Sequence, residues 1–154
     1  MTRERWITFG SIAATLGGLS WLAKMAVIIA TDGEVNDEGA AAFFYILGAA
    51  LMMIGSTAVG VLLAGRRPRW TLVVAVALSP IFFIISFSIL DGVAKPLVGD
   101  RGPAYLQDEA GIVTTAVAWL ILGISVLNAS RGSDGARSIV PVREPSDAGT
   151  VMTP

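Results

Sequence analysis

The chain of 154 residues contains no cysteine and no histidine. That removes disulfides, thiolate nucleophiles, Cys/His zinc sites, histidine-ligated haem and histidine general bases together. Charge is scarce as well. Asp, Glu, Lys and Arg make up 15% of the residues, against about 25% in an ordinary soluble domain. A formal net charge of −1 supplies no bulk field to draw in nucleic acid, so none is expected as a partner. There is no GxxxxGKS/T phosphate loop, no GxGxxG turn after a strand and no GxSxG nucleophile elbow. No cofactor, no metal and no enzymatic activity are expected from such a set.

What is abundant is apolar sequence. Four stretches, 6–30, 40–64, 70–90 and 110–127, hold a single charged side chain between them, Lys24. About 20 apolar residues in a helix cross the roughly 30 Å hydrocarbon layer. All four stretches are therefore read as spans, and each must be helical, because an open strand leaves backbone groups unpaired in lipid. A β-barrel is excluded because the runs are continuously apolar and do not alternate. Arg3 and Arg5 precede the first run as they do in a signal peptide. That run is longer than a signal core and Lys24 interrupts it, so a retained helix is expected. Residues 1–129 are read as one transmembrane domain. Residues 130–154, rich in Gly, Ser, Pro and mixed charge, are read as a disordered cytoplasmic tail.

Arginine placement sets the orientation. Arg3, Arg5, Arg66, Arg67, Arg69, Arg131, Arg137 and Arg143 all fall on one side of the four spans. The two opposite loops carry Lys95 and Arg101 against Asp32, Glu34, Asp37, Glu38, Asp91, Asp100, Asp108 and Glu109. Basic residues stay cytoplasmic. The expected fold is an all-α, antiparallel four-transmembrane-helix bundle with both termini on the cytoplasmic side of the cell membrane.

Small residues mark the expected packing faces, since they let helix backbones approach when lipid gives no hydrophobic drive. Gly10, Ala14 and Gly17 share a face in the first span. Ser56 and Gly60 lie on a stripe with Ala42, Tyr45, Ala49 and Met53 in the second. Gly111 and Thr115 lie on one with Ala118 and Ser125 in the fourth. In the third span Pro80 cannot donate to Val76, so Ser79-Pro80 marks a kink.

Lys24 is the sharpest feature. It lies six residues before residue 30, roughly 9 Å inside the outer helix end. An ionisable group at that depth marks a site or a buried pair, or it snorkels toward the headgroups. Asp108, at the head of the fourth span's small-residue stripe, is the expected partner, and Asp91 the next. The acidic run from Asp32 to Glu38 has oxygen ligands at alternate positions. It lacks the glycine and the closing glutamate of a calcium loop, so solvated acidic residues are expected there.

Two families invite comparison. Small multidrug exporters carry a membrane-embedded glutamate in the first helix, and no span here carries a carboxylate. DoxX-like proteins are similar in size and in a glycine-then-lysine pattern near the outer end of helix one, here Gly17, Gly18 and Lys24. The second span lacks the acidic residue that would accompany it, and no family is assigned. The expected function is that of a small accessory or interaction protein of the cytoplasmic membrane, packing with itself or with another membrane protein. The alternative is a small exporter of an anionic or apolar solute around Lys24.

Overall fold

The computed structural model describes residues 3–35, 38–64, 69–98 and 103–137; the side chains of 63, 69, 71, 72, 75, 98, 105, 108 and 130–137 lie outside that description. The elements are α1 (Arg3–Ala30), α2 (Gly39–Ala64), α3 (Arg69–Val98), the one-turn α4 (Ala104–Asp108) and α5 (Ala110–Arg137). No strand occurs among the described residues. Four of the helices are long and apolar enough to cross a membrane, which is compatible with a small integral membrane protein.

Helix ends differ from the expected spans. α3 runs to Val98 rather than stopping at residue 90. The reason is local: Asp91 and Lys95 form an i,i+4 ion pair at 3.0 Å, and such a pair supports another turn. The α5 backbone continues to Arg137, and the rest of the expected tail lies outside the described residues. α1 ends on a tight cap. Gly33 N–H donates to Ile28 and Asp32 N–H to Ile29, with Asp32 at φ 50°. That left-handed position is one glycine usually takes.

α1 packs along α2 on one side and α5 on the other, and α3 closes against α2 and α5. The α1–α2 seam is very close. A β-carbon added to Gly10 would stand 2.5 Å from that of Ala58, and one added to Gly17 would stand 2.7 Å from Met52 Cγ. Ala14 fills the place beside Gly55. On the other flank Gly18 meets Ala116 and Leu120, and Ser11 and Thr15 meet Gly123. The small-residue face of α1 is therefore covered within the chain and is not presented to a second molecule.

The centre is aromatic. Trp21 is 1% exposed. It stacks on Tyr45 at 5.4 Å and 6°, and meets Phe83 and Phe87 edge-on. Its indole N–H donates to the Tyr45 carbonyl at 2.9 Å, so the polar end of a large apolar side chain is satisfied. Phe83 continues the contact to Trp119 of α5 at 5.8 Å. Met52, Ile112, Ala116 and Ala14 complete this core. A second cluster, Met25, Ile28 and Ala41 with Leu106 and Val113, lies toward the Thr31 end. Within α3 the helix continues through Pro80. The Val76 carbonyl, which loses its usual donor to the proline ring, accepts instead from Ser79 Oγ at 2.7 Å.

Candidate functional site

The one charged side chain inside the four apolar stretches is buried and matched. Lys24 Nζ lies 3.0 Å from Glu109 Oε1, with the two side chains 3% and 8% exposed. Lys24 is placed by α1, one turn beyond Trp21. Glu109 is placed by the break between α4 and α5, where its carbonyl accepts from Val113 N–H at 3.1 Å. It thus caps the start of α5, where a negative side chain also complements the helix dipole.

The surroundings favour a closed pair. The Tyr45 ring lies 4.9 Å from Lys24 Nζ, within reach of a cation–π attraction. Trp21 stacks on that ring. The Met25 and Ile28 cluster lies next along α1. A buried charge is tolerated only when it is paired and hydrogen-bonded, and Lys24 meets that condition. Glu109 meets it in half: Oε2 is buried with no hydrogen-bond partner among the described residues. Thr115 Oγ1 is the other buried polar atom in that state. The hydroxyls of Ser20 and Ser56, by contrast, donate to the Phe44 carbonyl and the Met53 carbonyl.

The expected site residues are distributed as follows. Lys24 is brought to Glu109, one position beyond Asp108, whose side chain lies outside the description. Asp91 pairs with Lys95, and its carboxylate packs over Gly111. Thr115 and Ser56 are both fully buried, and Gly60 is buried too. Gly10, Ala14 and Gly17 form the α1–α2 seam. Ser79 and Pro80 lie on α3, on a different helix from the ion pair.

Glu109 and Gly48 were not among the expected residues, and both had a signal. Glu109, Ile112, Ala116, Trp119 and Gly123 recur at helical spacing, and all of them are buried. That stripe lies one position from the stripe of small polar residues. On α2 the buried edge is likewise Ala41, Gly48, Met52 and Gly55, one position short of Ala42, Ala49, Met53 and Ser56. Gly48 lies directly under the Trp21 ring, where any side chain would displace the indole. The large residues Met52, Ile112 and Trp119 mark the inward direction, and Ser56, Gly60, Gly111 and Thr115 are buried beside them. Among the described residues no group of three or more acidic side chains could hold a metal ion.

No family model, curated protein or solved structure matches this chain.

Proposed function

We propose that the chain is a small accessory protein of the cytoplasmic membrane, an antiparallel four-helix bundle with both termini inside, which packs against other membrane proteins. The filled interior carries this reading. Trp21, Met52, Phe83, Ile112 and Trp119 occupy the centre, and the buried cation is matched by Glu109. Residue order across the seams supports the antiparallel arrangement: Gly10 meets Ala58, Gly17 meets Met52, and Lys24 meets Glu109.

The outward surface is where such a protein would act. Ile81, Ile84, Ile85 and Ile89 of α3 are all more than half exposed. A chain without cysteine makes the test clean. A photocrosslinker at Ile85 on α3 should give one discrete protein adduct in native membranes. The same group at Leu16 on α1, which is comparably exposed, should give lipid adducts only. Indistinguishable patterns from the two positions sink the accessory reading. Orientation is tested separately. An impermeant maleimide added to intact cells should label Glu34→Cys and not Ser146→Cys.

The second reading, export of an anionic or apolar solute around Lys24, draws on the unpartnered Glu109 Oε2. It has less support, because Tyr45 and Trp21 occupy the space beside the cation.

A further inference from the structure

The one-turn helix α4 depends on its neighbours. Its five residues fall far short of the roughly 12–15 that an isolated helix needs in water. The Leu106 N–H donates to the Pro103 carbonyl at 3.0 Å, a bond within the segment itself. Beyond the segment, Leu106 packs over the cluster of Met25, Ile28 and Ala41, all of them buried. Glu109 follows α4 directly, in the break before α5. Its side chain ties that break to Lys24 of α1 at 3.0 Å. The ion pair therefore holds the end of the segment whose middle covers the cluster.

The two members of the pair are held unequally. Lys24 has the Tyr45 ring 4.9 Å away as well as the carboxylate. Glu109 offers two oxygens, and Oε2 is buried with no hydrogen-bond partner among the described residues. An ionised carboxylate accepts at both oxygens, and a charged acceptor left unsatisfied in the interior costs more than a neutral one. The open lone pairs are thus on the acid. A proton is the cation that needs no room beside a buried atom. The other charged groups at this end are Asp91 and Lys95 of α3, which pair with each other at 3.0 Å. The Asp91 carboxylate lies over Gly111, two residues beyond Glu109. Asp108 of α4 adjoins Glu109 in the chain, and its side chain lies outside the description.

We propose that Glu109 is a proton-operated latch: a proton bound at Oε2 releases α4 and uncovers the Met25, Ile28 and Ala41 cluster. The proton comes from the surrounding water and adds to an Oε2 lone pair, and no covalent bond breaks. Glu109 passes from a charge of −1 to neutral, so its contact with Lys24 loses its Coulomb attraction. The start of α5 loses the negative side chain that complements its dipole. The ammonium keeps the Tyr45 ring, which attracts a cation unaided. Because Glu109 holds the break only while ionised, the latch is shut toward neutral pH and opens as the pH falls. The latch does not depend on the accessory role proposed above.

The absence of cysteine from the chain gives the test a clean readout. Ala41→Cys places a thiol in the covered cluster. Glu34→Cys, in a separate protein, places one on the exposed acidic loop as the reference. Both full chains are held in mild detergent and treated with a dipyridyl disulfide, which reacts with thiols in acid as well as at neutral pH. The rate at Ala41→Cys divided by that at Glu34→Cys should rise at least tenfold between about pH 7.5 and about pH 4.5. In the Glu109→Gln background, where the side chain is neutral throughout, the ratio should be high at both values. Should Glu109→Gln fail to fold, Lys24→Met/Glu109→Leu takes its place, and its ratio should not change with pH. The latch is overturned by a ratio that stays constant without a substitution at Glu109. It is overturned too by an acid-induced rise that persists in either background, or by a Glu109→Gln protein as closed at neutral pH as its parent. Each of these results can occur whichever way the Ile85 crosslinking comes out.

Discussion

Helices α1 and α3 are of similar length and both apolar, yet the chain treats them in opposite ways. Half of the apolar segment of α1 is buried inside the protein, against 11% of that of α3. The buried side of α1 is mostly small, with Gly10, Ser11, Ala13, Ala14, Gly17, Gly18 and Ser20 ahead of Trp21 and Lys24. The outer side of α3 is isoleucine and valine. In water the bulky helix would be the buried one. In lipid, whose tails are as apolar as leucine, burying an isoleucine gains little, and close backbone approach decides which helix sits at the centre. Centrality here follows smallness, and this ordering is a physical reason to place the chain in a bilayer.

The comparison can be broken most sharply at the ion pair that anchors the Thr31 end of α1. Removing one member of a buried pair costs about 3–5 kcal/mol, while replacing both by apolar residues of similar volume is close to neutral. Glu109→Ala and Lys24→Ala should each destabilise the protein by that amount, whereas the double variant Lys24→Met/Glu109→Leu should recover most of it. Unfolding in mixed micelles measures all three. A double variant as unstable as the singles shows that the pair does more than neutralise itself.

The α1–α2 seam gives the next largest effect. Gly17→Leu forces side-chain atoms against Met52 and the Gly48 carbonyl, an overpacking of about 1–3 kcal/mol or more. Ile85→Leu on the outer side of α3 should change stability by less than about 0.5 kcal/mol. Equal losses at the two positions would remove the distinction between a central and a peripheral helix. A loss between those two is expected at Ser79. Ser79→Ala leaves the Val76 carbonyl without its donor and should cost about 1 kcal/mol, read from the same unfolding curves.

The four helices were legible because hydropathy over some 20 residues reports the bilayer requirement directly. Helix ends were less so. Asp91 reads as the close of a span when treated as a lone charge, and as helix interior once Lys95 is seen four residues on. Lys24 was legible as a buried charge because nothing else in its stretch ionises. Its pairing with Glu109 was not, because Asp108 and Glu109 are adjacent acids whose directions differ by one helical step, and Glu109 does not stand on the small-residue stripe that Asp108 heads.

The Lys24–Glu109 contact spans 85 positions of chain. At a synthesis rate of about 5–20 residues per second, the cation of α1 reaches the bilayer roughly 4 to 17 s before its counter-charge exists. During that interval Lys24 has no Glu109 to pair with, and its stem is expected to reach for the headgroups. Ribosome-arrested chains that end near residue 100 should therefore leave Lys24 open to an amine-reactive reagent from outside. Completed chains should shield it, and equal labelling of the two would mean that α1 settles without waiting for its counter-ion.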